Sequence, residues 1–116
     1  MNEISLIQDK IKKFVKERDW EKFHTPKNLS MSLSIEAAEL MEHFQWTNSA
    51  EEAAQILKDK RKKFEIEDEV ADVAIYLMGF CGLYGIDLEK AVLRKIKKNA
   101  RKYPAKLVKG RMEKRP

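Results

Sequence analysis

Two carboxylate pairs in this chain have the residue types and spacing to do chemistry: Glu36-Ala-Ala-Glu39 and, further along, Glu69-Val-Ala-Asp72. Each pair is spaced i, i+3 inside a helical pattern, which sets both side chains on one face with Cβ atoms roughly 5–6 Å apart. Two such helices packed together would bring four carboxylates to one spot. Anions held that close repel, and a hard divalent cation with oxygen ligands is the usual way to offset them. The expected ion is Mg²⁺ or Mn²⁺. All-oxygen ligation disfavours zinc and iron. A di-iron bundle would want Glu-x-x-His, but Glu42 stands at that third position. His43, at i+4 from Glu39, is read as a rim residue rather than a ligand.

A helical projection extends the pattern. Glu36, Glu39 and His43 border an apolar stripe of Leu29, Leu33, Leu40 and Phe44. Glu65, Glu69, Asp72 and Tyr76 border a second stripe of Ile66, Val70, Val73, Leu77 and Phe80. Lys95, Asn99 and Lys102 border a third, of Val92, Ile96 and Tyr103. Polar ridges beside a buried seam can line a shared pocket between helices, where bundles build metal and ligand sites.

Mg²⁺ held by a few carboxylates takes further oxygens from substrate phosphates. With Lys95 and Lys102 added, the natural ligand is a polyphosphate. Water, activated by the ion or by a spare carboxylate, would be the nucleophile on phosphorus. The chain has no glycine-rich phosphate loop and no Ser/His/Asp grouping, so neither a P-loop mechanism nor covalent catalysis is expected. Trp20 and Trp46 each follow a helical stretch, with Phe23 and His24 in the loop between. Aromatics at element ends near phosphates suit stacking on a nucleobase.

The elements that must position these residues are all helical. Ile4, Ile7, Ile11, Phe14 and Val15 predict a first helix over 3–18. A polar stretch from Trp20 to Asn28 follows, broken by Pro26, and a second helix is expected over about 30–45. Ser49 with Glu52 makes a capping box that opens a third. From 49 to about 84 the chain reads either as one long helix or as two joined within Lys58–Lys63. Asp87 suits the N-cap of a last helix that Pro104 closes. No β-type alternation occurs. The fold class expected is all-α, a four-to-five-helix bundle.

At 116 residues the chain fits one domain whose core is small enough to welcome oligomerisation. Cys81 is its single cysteine, so no intrachain disulfide can form. The first ten residues are too charged for a signal peptide's apolar segment, and no run of about 18 apolar residues exists. The expectation is a cytoplasmic protein that does not enter the membrane. The net charge of +5 is unevenly spread: residues 94–116 hold eleven Lys/Arg against one acid, and residues 1–93 hold thirteen against eighteen. The basic end could meet nucleic acid or serve a phosphorylated ligand, and residues from Lys106 onward read as a solvated tail.

The run Glu17-Arg18-Asp19-Trp20-Glu21-Lys22-Phe23-His24-Thr25-Pro26-Lys27-Asn28-Leu29, followed by Ile35-Glu36-Ala37-Ala38-Glu39-Leu40-Met41-Glu42-His43-Phe44-Gln45-Trp46, resembles the MazG-like all-α nucleotide pyrophosphohydrolases. It looks most like their dCTP pyrophosphatase branch. Asp68-Glu69-Val70-Ala71-Asp72-Val73-Ala74-Ile75-Tyr76-Leu77 and Lys95-Ile96-Lys97-Lys98-Asn99-Ala100-Arg101-Lys102-Tyr103-Pro104 fit the same family. The similarity spans about residues 5–105.

This resemblance implies hydrolysis of a nucleoside triphosphate to the monophosphate and pyrophosphate, with a dCTP-like substrate and a house-cleaning role in the nucleotide pool. It implies that Glu36, Glu39, Glu69 and Asp72 hold Mg²⁺, with Glu36 or Glu39 also acting on the water. Lys95 and Asn99 match positions that meet the phosphates or sugar, and Trp20, Trp46 and Tyr76 match the nucleoside pocket. It further implies a homotetramer, a dimer of dimers. The expected organisation is a catalytic domain over 1–104 and a basic tail over 105–116, which the family pattern does not explain. The spacer of 29 residues between Glu39 and Glu69 runs slightly longer than that pattern, and the joint near Lys58–Lys63 could absorb it. There are two alternatives: a nucleotide sensor without turnover, which shares these residues, and a helical module that binds nucleic acid through its basic end. The second leaves the acidic quartet without a role.

Overall fold

A computed structural model describes residues 2–111. They form α1 (Glu3–Glu17), a 3₁₀ turn (Glu21–Phe23), α2 (Pro26–Glu42), α3 (Ala50–Lys58), α4 (Lys60–Leu83), α5 (Leu88–Lys102) and α6 (Ala105–Val108). No strand occurs among them, and the fold is all-α. No single helix among them is long and apolar enough to cross a membrane.

The described chain falls into two compact units, one ending at Tyr84 and one beginning at Gly85. In the first, α4 is the central element: it packs chiefly against α2, and also against α1 and α3. Its buried apolar residues are Val15 of α1, Leu29 of α2, and Ile66 and Cys81 of α4. Burial pushes the Cys81 thiol up, so it packs as a small hydrophobe. Gln8 Nε2 donates to the Met78 carbonyl at 3.0 Å and anchors α1 along α4. The second unit holds α5 and α6; Asp87 caps α5 by accepting from Lys90 N at 3.0 Å.

Helix starts follow local chemistry. Ser49 Oγ accepts from Glu52 N at 3.1 Å, and Glu52 Oε2 accepts in return from Asn48 N at 2.7 Å. One expectation is corrected. Pro26 does not break the polar stretch but opens α2 four residues earlier than the apolar pattern indicated. Thr25 caps it by accepting from Asn28 N at 3.1 Å, and proline is favoured in a first turn because its missing N–H has no helical partner there. The 49–84 stretch follows the two-helix reading, with the joint at Asp59 inside Lys58–Lys63: its extended backbone ends α3 while its carboxylate accepts from Lys62 N and starts α4.

The second correction concerns burial. Val70 and Leu77, assigned to the buried seam of α4, are 50% and 37% exposed. Ile7 and Phe14 of α1 are also exposed, and so are Val92 and Ile96 of α5. Periodicity counted every apolar residue as inward-facing, but three partner helices cannot cover all of α4.

Ile66, 5% exposed, is one of the two buried apolar residues of α4. Ile66→Ala is expected to cost about 2–5 kcal/mol, the range for emptying a buried aliphatic position. Chemical denaturation at fixed protein concentration checks this; a loss under about 1 kcal/mol would mean that the α4 seam is not the core.

Candidate metal and nucleotide site

α2 and α4 bring the two carboxylate pairs together. One carboxylate oxygen from each of Glu36, Glu69 and Asp72 lies within 4.8 Å of the others. Glu36 and Glu69 are half-buried, and Oε2 of each is sealed from solvent with no hydrogen-bond partner. A buried acceptor left unpaired is costly, so the arrangement is incomplete without a cation or protons.

Protons show the strain. The Glu36 carboxyl is pushed up to about 7, first by burial, then by the carboxylate of Glu39 beside it, then by Asp72 and Glu69. Glu69 is also raised, again by burial first, then by Glu39 and Asp72, with His43 pulling the other way. Glu39 thus lies close enough to act on both, although it stands outside the tight trio. Oxygen-only ligands, two sealed lone-pair sites and mutual repulsion suit a hard divalent cation.

The cluster opens on a cavity. Asp72 and Tyr76, one helical turn apart on α4, both line a space of about 530 Å³ whose other walls include Trp20, His24, Leu29 and Lys10. A second space of about 350 Å³ shares Trp20, His24, Leu29 and Tyr76 and adds Phe23, Asn28 and Ser32.

Trp20 reaches this position through the way α1 ends. Asp19 takes a left-handed conformation (φ 55°), and Trp20 N and Asp19 N donate to the Val15 and Lys16 carbonyls. That is a Schellman turn with Asp in place of the usual Gly. It turns the Trp20 ring onto Phe14, edge to face at 5.9 Å.

Of the remaining expected residues, Trp46 is 83% exposed beyond α2 and lines neither space. Lys95, Asn99 and Lys102 lie on α5 in the second unit. There Lys95 and Lys102 are exposed, and Asn99 is half-buried with its carbonyl accepting from Tyr103 N at 2.7 Å. Lys10 and Ser32 were missed. Lys10 shares a face of α1 with Ile7 and Phe14, and a cation on an apolar stripe is the signal that marked it. Ser32 left no signal beyond lying one turn before Glu36.

The family model for the MazG-like family matches residues 31–114, a stretch that holds all four carboxylates and runs past Pro104. The chain belongs to the MazG-like family. Within it, this MazG-like chain is 40% identical over 97 residues to dCTP pyrophosphatase 1 of Rattus norvegicus, covering 84% of the chain and 56% of that protein. Identity to the Homo sapiens protein of the same name is 41% over 97 residues, with the same coverage. The chain therefore spans a little over half the length of these curated relatives. A crystal structure of a pyrophosphatase from Archaeoglobus fulgidus superposes with a TM-score of 0.84 at 47% identity, covering 90% of this chain and 94% of that one.

The carboxylate shifts set a pH test. Glu36 and Glu69 both hold protons more tightly folded than unfolded; for Glu36 the stabilising effect is full below about pH 4.5 and is lost as pH rises through about 7. In chelator, Tm is expected to fall between those limits, and Glu36→Gln should flatten that fall. Adding a divalent cation at a pH about one unit above 7 should restore Tm. A Tm indifferent to both pH and cation would remove the cluster as a cation site.

Proposed function

We propose that this chain is a Mg²⁺-dependent nucleoside triphosphate pyrophosphohydrolase, converting a (d)NTP and water to the (d)NMP and pyrophosphate, with a dCTP-like substrate. The observation that carries this reading is the acidic cluster of Glu36, Glu69 and Asp72 with its sealed oxygens, opening through Asp72 onto an aromatic-walled cavity. A cation site and a flat-ring site joined by one residue suit a metal nucleotide. The names of the relatives, dCTP pyrophosphatase and pyrophosphatase, support it.

On this reading Glu36, Glu39, Glu69 and Asp72 hold the metal, with Mn²⁺ an acceptable substitute for Mg²⁺. Bound there, the cation supplies neutralisation of the triphosphate oxygens and draws charge from the phosphorus under attack. The residues do the rest. Glu36 or Glu39 orients a water and takes its proton as the water oxygen bonds to the α-phosphorus; the bond from that phosphorus to the bridging oxygen breaks, and pyrophosphate leaves. Lys95 and Lys102 meet the phosphates and Lys95 stabilises the growing charge, while Asn99 binds the sugar or a phosphate. Trp20, Trp46 and Tyr76 hold the nucleoside. Residues 1–104 form the catalytic domain, with 105–116 as a basic tail.

The working form is a homotetramer, a dimer of dimers. Support comes from apolar side chains that one copy leaves in water: Trp46 at 83%, Phe64 at 65% and Met41 at 61% exposed. Patches of that kind mark interaction surfaces. A role clearing the nucleotide pool places the enzyme in the cytoplasm.

Pyrophosphate release from the eight standard NTPs and dNTPs, measured with Mg²⁺ and with EDTA, tests the reaction. Release is expected only with the cation, with dCTP leading. Glu39→Gln should lower the rate at least about a hundredfold with the helical circular dichroism unchanged. Full activity in that variant would sink the assignment, and binding without turnover in the parent protein would favour the sensor reading.

A further inference from the structure

The charge of the chain is divided between its two units. Residues 85–116 hold twelve Lys/Arg against three acids, and residues 1–84 hold twelve against sixteen. The proposed reaction draws on Lys95, Asn99 and Lys102 and leaves most of the basic excess without a task.

A helical projection of α5 sorts its cations into two groups. Lys95 and Lys102 stand with Asn99 on the border of the Val92/Ile96/Tyr103 stripe. Lys90, Arg94, Lys97 and Arg101 follow one another at i, i+4, i+7 and i+11, which sets them within about 60° of arc, and Lys98 adjoins them. The row runs roughly 16 Å along the helix axis. Its centre lies nearly opposite the centre of the apolar stripe.

The described residues leave this row without counter-charge. All five side chains are exposed, and none has an acid within ion-pair distance among those residues. Glu89, the only acid in α5, stands about a third of a turn from the centre of the row. In α1 and α4 the same i, i+4 spacing joins opposite charges, Lys13 with Glu17 and Arg61 with Glu65. In α5 it joins Lys90 with Arg94, Arg94 with Lys98 and Lys97 with Arg101, like pairs that weaken a helix. Lys106 and Lys109 follow in the same unit, also exposed and also without an acid partner among the described residues.

We infer that the row from Lys90 to Arg101 binds the phosphate backbone of nucleic acid, independently of sequence. A strand carries its charges in a line at short, regular intervals, and the row presents cations in a line. The Arg94 and Arg101 guanidinium groups suit phosphate oxygens taken two at a time. An anionic membrane is the rival polyanion. A helix lying in a membrane surface buries its apolar face, and the cations beside that face meet the headgroups. A row opposite the apolar stripe would point away from the bilayer. Binding along the row requires no turnover at the acidic cluster.

Fluorescence anisotropy of the full chain with labelled single strands and duplexes tests this, using several sequences of about 30 nucleotides at about 50 and about 200 mM salt. Binding of either form in the micromolar range is expected at the lower salt, alike for every sequence and falling steeply at the higher. Lys97→Gln combined with Arg101→Gln should weaken binding at least about tenfold and lower the slope of log affinity against log salt by about two for each row engaged. Helical circular dichroism and pyrophosphate release should stay unchanged. Lys62→Gln combined with Lys63→Gln removes the same charge from exposed positions on α4 and should leave binding nearly as it was.

No binding to either form, or an equal loss in the two double variants, would overturn the inference. So would loss of pyrophosphate release in the Lys97/Arg101 variant, which would put the row in the hydrolytic site. Vesicles of phosphatidylglycerol supply the membrane arm: binding to them that depends on Lys97 and Arg101, with nucleic-acid binding that does not, would also overturn it. The outcome is read the same way if the parent protein releases no pyrophosphate.

Discussion

Glu36 on α2 and Glu69 and Asp72 on α4 are packed so that their carboxylates crowd one another, with an oxygen of Glu36 and of Glu69 shut off from water. Folding gains nothing from such an arrangement by itself: like charges repel, and a buried lone pair without a donor loses its hydration. The helices hold it because α4 is the element on which α1, α2 and α3 all pack. Apolar contacts such as Ile66 and Leu29 offset the repulsion. The rest of the first unit can be understood as scaffolding for this one unfavourable contact, whose cost a cation would remove.

The aromatic cavity follows from the same helix. Tyr76 lies one turn beyond Asp72, so the face of α4 that carries the acids also carries the first wall of the cavity. The second wall, Trp20, comes from a different device. Asp19 accepts a left-handed conformation that lets α1 stop and the indole fold back on Phe14. Asp tolerates that region better than most residues. Charge from one helix face and ring area from one helix end thus meet without either element being unusual.

The chain carries more apolar surface than its own helices cover: Trp46, Phe64 and Met41 remain largely in water. This explains why an inward and an outward apolar face looked alike in the sequence. The stripe of Ile66, Val70, Val73, Leu77 and Phe80 is real as a pattern. Only part of it faces the chain's own core.

What the sequence determined by itself was local or periodic. Ser49 and Asp87 as caps, the start of α1, the all-helical class and the i, i+3 carboxylates on one face all follow from hydrogen bonds and spacing within a few residues. The family motifs in Glu36–Glu39 and Glu69–Asp72 were legible for the same reason: they are short and in order. The Thr25-Pro26 opening of α2 is equally local, because a proline after a capping threonine suits a first turn as well as it suits a break. Only the tertiary structure decided which oxygens of the acids are sealed and that Val70 and Leu77 face outward. It also decided that Ser32 and His24 share a cavity, and that Tyr84 reaches His24 from 60 residues away. These depend on how one helix is rotated against another, and that rotation is set by the sum of packing contacts across the unit, which no local pattern encodes.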